Sequence, residues 1–197
     1  MSALPERLFT PAEYLKLEAE ADYRSQYVSG EIFAMAGTQP IHNEVLFNIL
    51  MALGSRLRGR PCRTYFQDIR LQVEAGELYT YPDAMVLRGE PKFDRTGNPP
   101  SLTNPQVIFE VLSLSTEGFD RGDKFTRYRK LPSLTDYVLV STERVGVEHF
   151  SRQADGAWTF RAYEQPGDQL RLTSVGCDVR LAEIYEKINF SKQEAVE

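Results

Sequence analysis

The sequence predicts an α/β domain built on a mixed β-sheet flanked by helices, and three observations carry that prediction. A long amphipathic helix precedes a run of strand-like segments. An apolar strand, a helix and a second apolar strand then follow in turn, from "IFEVLS" to "DYVLVST", as a parallel crossover requires. A β-hairpin and a short helix close the chain. At 197 residues the length suits one domain with a full core.

The elements follow in order. In "TPAEYLKLEAEA" Thr10 is an N-cap, Pro11 takes the first helical position and Glu13 stands three after the cap, a capping-box start. "VSGEIFAM" reads as a turn and a short strand. In "PIHNEVLFNILMALGSRLRG" Val45, Leu46, Ile49, Leu50, Leu53 and Leu57 recur at helical spacing, and Gly59 marks the end. His42 lies one turn before Leu46, on the inward stripe near the helix start. "RTYFQDIRLQVEAGELYTYPDAMVLRG" reads as two strands joined at the Glu74–Glu77 turn, and "EPKFDRTGNPPSLTNP" as a long loop. "QVIFEVLS" is a buried strand. "STEGFDRGDKFTRYRKL" turns helical in its second half, and "TDYVLVST" is another strand. "VGVEHFSR" and "WTFRAYE" form a hairpin across "QADG", and "LAEIYEKI" is the closing helix.

Composition narrows the function classes. No run of 18 apolar residues occurs, so no membrane span is expected. The N-terminus lacks the apolar h-region of a secretory signal, which makes the cytoplasm the expected compartment. Cys62 and Cys177 belong to no C-x-x-C pair, so no zinc site is readable and a disulfide is not expected. A net charge of −5 argues against a whole-protein field for nucleic acid, although local patches can serve. Two basic clusters stand out, Arg56 to Arg63 and Arg121 to Lys130. Cations complementing helix C-termini explain each equally well.

Several chemistries fail on spacing. "HNE" at His42–Glu44 with "PC" at Pro61–Cys62 begins a zinc-deaminase pattern, but Tyr65 stands where the second cysteine belongs. There is no G-x-S-x-G and no phosphate-cradling Walker loop. What remains is a pair of acids in apolar strands, Asp83 in "YPDAMV" and Glu110 in "IFEVLS". On neighbouring strands they can face one cleft. Two carboxylates about 4 Å apart repel by roughly 4 kcal/mol at an effective dielectric near 20. A proton, an arginine or a metal must offset that. Mg²⁺ takes carboxylate oxygens and water, and can acidify a bound water beside a phosphate. Lys124 is the candidate third member, because Asp120, Lys124 and Tyr128 share a helix face. A solvated Asp120–Lys124 ion pair explains the same spacing.

Pro82-Asp83 followed by Glu110 resembles the PD-(D/E)xK nuclease superfamily, whose usual lysine two after the acid is replaced here by Leu112. The ordered set "YVSGEIFAMAG…H", "DIRL", "YPDAMV", "PQVIFEVLSLST", "DRGDKFTRY" and "DYVLV" is similar to the Uma2 family of restriction-endonuclease-like proteins. The likeness runs from about Phe9 to Glu186, within a single domain over 1–197. It implies a restriction-endonuclease-like core of about four strands with an added C-terminal β-hairpin, and an endonuclease cutting DNA with Mg²⁺, for which Mn²⁺ can substitute. In that family the lysine has moved to the following helix, where Lys124 stands. The resemblance further implies Asp83 and Glu110 as catalytic metal ligands, with the Val111 carbonyl and Glu31 joining the metal set. It gives His42, Asp68 and Tyr128 accessory places. A backbone-satisfied histidine, an exposed strand acid and a packing tyrosine are their plainer readings. A homodimer fits, because two sites on a two-fold axis can cut both strands. The alternatives are a noncatalytic nucleic-acid-binding module, or a partner-binding protein retaining the nuclease fold.

Overall fold

The computed structural model describes residues 7–35, 37–113 and 116–190. Ala36, Leu114 and Ser115, which fall within the motifs quoted above, lie outside the described residues. Helix α1 (Pro11–Glu20) starts on the expected capping box, with the Glu13 amide donating to Thr10 Oγ1 and the Thr10 amide to Glu13 Oε2. Strands β1 (Ser25–Val28) and β2 (Glu31–Ala34) form a hairpin. Helix α2 (Pro40–Leu57) then buries Val45, Leu46, Ile49, Leu53 and Leu57, the stripe its spacing predicts.

The next segment departs from expectation. Four strands occupy the stretch that pattern alone reads as two: β3 (Cys62–Phe66), β4 (Leu71–Val73), β5 (Leu78–Thr80) and β6 (Ala84–Arg88). The turn between β4 and β5 falls at Glu74–Gly76, where Glu74, Ala75 and Gly76 all take positive φ. The proline-rich stretch carries two short strands, β7 (Phe93–Asp94) and β8 (Ser101–Leu102). Strand β9 (Val107–Val111) leads into α3 (Glu117–Phe119), a π-helical turn (Asp120–Lys124) and α4 (Phe125–Tyr128). Then come β10 (Asp136–Val140), the hairpin β11 (Val147–Arg152) and β12 (Trp158–Tyr163), the hairpin β13 (Gln169–Leu172) and β14 (Cys177–Arg180), and α5 (Leu181–Ile184).

Among the described residues these strands make two six-stranded sheets and a separate hairpin, more than the core of about four strands the resemblance implies. The first sheet runs β2-β1-β5-β4-β8-β7 and the second β12-β11-β10-β9-β6-β3. The second is mixed: β9 and β10 are parallel across the helical crossover, while β6 pairs antiparallel with both β9 and β3. Its alternating side chains fill two cores. Phe109, Val111, Val138 and Val140 pack under α2, α5 and the β13–β14 hairpin. Met85, Ile108, Tyr137 and Leu139 pack with Tyr128 and with Leu71, Leu78 and Leu102 of the first sheet. Among the described residues no helix is long and apolar enough to cross a membrane.

Candidate active site

The site forms where β6 begins and β9 ends. Pairing between these strands runs through Ala84↔Phe109. Asp83 immediately precedes the first paired residue of β6, beside the end of β9 that carries Glu110, and its charge acts on Glu110. Asp83 is held from both sides. Its carbonyl accepts the Gln67 amide at 3.1 Å. Its carboxylate Oδ2 accepts the Val111 amide at 2.7 Å, so an acid placed after Pro82 closes the ladder with its side chain. His42 Nε2 lies 3.3 Å from the same oxygen. The first turn of α2 therefore delivers its buried histidine to Asp83, while His42 Nδ1 is buried with no hydrogen-bond partner among the described residues.

Glu110 is the last residue but one of an otherwise apolar strand and is 3% exposed. Its Oε1 accepts the Tyr128 hydroxyl at 2.8 Å and faces Lys124 Nζ at 3.1 Å. Lys124 Nζ also reaches Asp120 Oδ1 at 2.7 Å. Asp120, Lys124 and Tyr128 thus share a face, as their four-residue spacing predicts. The pair is buried, so the solvated-surface reading fails. The wide π turn carrying Asp120 and Lys124 is anchored to the sheet, because the Tyr137 hydroxyl donates to the Asp120 carbonyl at 2.9 Å. Phe125 stacks on the Tyr137 ring, with planes 3° apart. Such π turns recur at functional sites, where the extra residue re-aims a side chain.

Three carboxylates, one ammonium and one imidazole meet here, all buried but Asp83, which is partly exposed. Burial pushes the Glu110 carboxyl up to about 8, against the pull of Lys124 and with the push of Asp120 and Asp83. Lys124 moves the other way. Burial would discharge it, but Glu110 and Asp120 hold it firmly as an ammonium. Burial also raises the Tyr128 hydroxyl, which stays a neutral donor. For His42, burial favours the neutral ring, yet the Asp83 hydrogen bond and charge, with Glu110 and the Val111 carbonyl, raise it overall. The crowded carboxylates are eased by a proton on Glu110, which burial and the neighbouring Asp120 and Asp83 favour.

A hard cation would relieve the same charge. Hydrogen bonds and the ion pair occupy Asp83 Oδ2 and Glu110 Oε1, while no donor to Asp83 Oδ1 or Glu110 Oε2 is found among the described residues. Two carboxylates and a carbonyl suit Mg²⁺, which keeps several of its waters. Among the described residues no group of three or more His, Cys, Asp or Glu could hold a metal. That speaks against an all-protein cage rather than against a hydrated ion.

The remaining residues named from sequence are exposed. Glu31 is exposed at the start of β2, the edge strand of the first sheet. Asp68 is exposed between β3 and β4, with Arg24 at 3.5 Å. Asp120 is more than a helix-face neighbour of Lys124, since it completes the buried charge cluster. The signal for it was the Asp-x-x-x-Lys-x-x-x-Tyr spacing. Both cysteines are free, Cys177 buried and Cys62 partly so.

Known proteins agree with this architecture. A solved structure described as a putative nuclease belonging to DUF820, from Anabaena variabilis, superposes with a TM-score of 0.73 at 17% identity, covering 93% of this chain and 98% of the other. At that identity the likeness speaks for the fold. Two uncharacterized proteins of Synechocystis sp. are similar in sequence. One is 38% identical over 152 residues, covering 77% of this chain and 85% of its own. The other is 34% identical over 181 residues, covering 92% and 93%. Residues 11–182 match the Uma2 family, described as "Putative restriction endonuclease". The match takes in α1, both large sheets and every residue of the buried charge cluster, and the chain belongs to the Uma2 family.

Proposed function

We propose that the protein is a metal-dependent endonuclease that hydrolyses phosphodiester bonds in DNA, acting in the cytoplasm. The observation that carries this reading is the buried Lys124 ammonium, 3.1 Å from Glu110 on the strand beside Asp83. Asp83, Glu110 and the Val111 carbonyl are the proposed Mg²⁺ ligands, with Mn²⁺ able to substitute. Glu31, on its exposed edge strand, is left out of the set. When bound, the metal supplies neutralisation of phosphate charge and an acidified water.

The chain's own groups do the rest. Val111 N–H and His42 hold the Asp83 carboxylate in one orientation. Tyr128 does the same for Glu110. Lys124 presents a permanent cation to an attacking water and to the charge that builds on the phosphate, worth most in a dry site. With the net charge at −5, DNA must be held by local cations beside the site rather than by the field of the whole protein.

Supercoiled plasmid incubated with Mg²⁺ or Mn²⁺ tests this. Wild-type protein should nick or linearise it, and chelator, Asp83→Asn or Glu110→Gln should each abolish the cut. A wild-type preparation that cuts neither DNA nor RNA removes the reading and leaves a noncatalytic module. Retention of both acids and the lysine in one buried cluster speaks for the enzyme.

A further inference from the structure

Phe66 is a large apolar side chain left in solvent at the edge of the candidate site. It ends β3, the edge strand of the second sheet, and keeps 50% of its surface exposed. Among the described residues it joins none of the three hydrophobic clusters. Its backbone pairs with Ala84, and the next amide, that of Gln67, donates to the Asp83 carbonyl at 3.1 Å. Residues paired directly across two strands share a face. Ala84 packs in the core under α2, so Phe66 lies on the α2 side of the sheet, from which His42 reaches Asp83. The backbone beside the ring is held in a costly shape. Gln67 takes φ +49°, a left-handed conformation that residues with a Cβ seldom adopt. Asp68 follows with Arg24 at 3.5 Å, and the Arg24 guanidinium lies over the Tyr81 ring. Strand pairing on one side and this tied turn on the other fix where the Phe66 ring stands. Such strain collects at functional positions.

We propose, on the nuclease reading of the site, that a nucleotide base beside the scissile phosphate stacks on Phe66, and that the substrate is DNA single-stranded or unpaired at the cut. A fixed ring in solvent offers a π-face that any base can take. Within a duplex each base is already stacked on its neighbours, so duplex DNA has no free face for this ring until it is opened. Charge points the same way. At a net −5 the chain lacks the broad cationic field that grips a duplex through its phosphates, whereas stacking works without one.

Fluorescence anisotropy with one labelled oligonucleotide, either alone or annealed to its complement, tests this in Ca²⁺, with strand integrity checked on a gel. Wild-type protein should bind the single strand at least about tenfold more tightly than the duplex. Phe66→Ala should lower single-strand affinity by about tenfold and leave duplex affinity unchanged. Phe66→Trp should keep wild-type affinity, and the emission of its added indole should be quenched as the single strand binds, a signature that a merely structural ring would not give. Trp158 is the only native tryptophan, so wild type supplies the background. Circular dichroism checks that both variants are folded. A duplex bound as tightly as the single strand, no binding of either, undiminished single-strand affinity in Phe66→Ala, or an unquenched Phe66→Trp would each overturn the proposal. A protein that binds the single strand through Phe66 yet never cuts it would sink the nuclease reading and leave the stacking role standing.

Discussion

Lys124→Met is expected to lower Mg²⁺-dependent cleavage by about 10²–10³-fold while the metal still binds. Among the described residues the ammonium is the only lysine or arginine charge in the cluster formed by Asp83, Glu110, Asp120 and Tyr128, and it lies 3.1 Å and 2.7 Å from two of those acids. Methionine fills similar volume without charge. Glu110 then loses the cation that opposes its protonation, and the buried pair is broken at a cost of about 3–5 kcal/mol. Stability and activity are both affected, so they must be measured apart. Cleavage is to be assayed well below the melting temperature, with the folded fraction checked by circular dichroism. Activity near wild type in a folded Lys124→Met protein would place the working cation elsewhere.

Arg70→Ala should lower stability by about 4 kcal/mol and leave the proposed activity of the folded protein intact. Arg70 is fully buried and heads the largest side chains of the interior. Its Nε donates to Ser101 Oγ at 2.8 Å, its Nη2 donates to the Pro99 carbonyl, and its guanidinium lies over the Tyr79 ring. It thus ties the loop between β7 and β8 to the first sheet. Gly97 belongs to the same arrangement, because a Cβ there would come within 2.6 Å of Arg70 Nη2 and 2.8 Å of Leu15. Truncation leaves a cavity and strips both acceptors of their donor. In a domain of this size the loss corresponds to a drop of roughly 8–16 °C in Tm. Calorimetry checks it, and a shift under 2 °C would mean that the loop holds itself.

Sequence carried much of this arrangement, and its failures have physical causes. Helix α2 was legible because Val45, Leu46, Ile49, Leu53 and Leu57 form one stripe, and all five are buried. Glu110 was legible because an acid inside "VIFEV" has no structural excuse. Lys124 was legible through its spacing to Asp120 and Tyr128. The π turn was not, since no sequence pattern separates it from an α-helix with glycines at 118 and 122. Strands β4 and β5 have three residues each, too few for alternation to show, so the first sheet was half-read. Arg70 in "DIRL" looks like an exposed strand residue. Only the loop that folds over it makes it interior. Glu31 and Asp68 entered through family likeness alone, and both stand exposed outside the buried cluster.

The central claim is that Asp83 and Glu110 together hold one divalent ion, and a Mn²⁺ titration followed by electron paramagnetic resonance tests it most directly. Metal binding competes with the proton that burial keeps on Glu110 up to about 8. Affinity should therefore climb as pH rises toward 8 and flatten above it. The predicted result is one Mn²⁺ per chain, weakened at least about tenfold by Asp83→Asn and by Glu110→Gln and retained in Lys124→Met. No binding by the wild type, or binding indifferent to both carboxylate variants, would contradict the account.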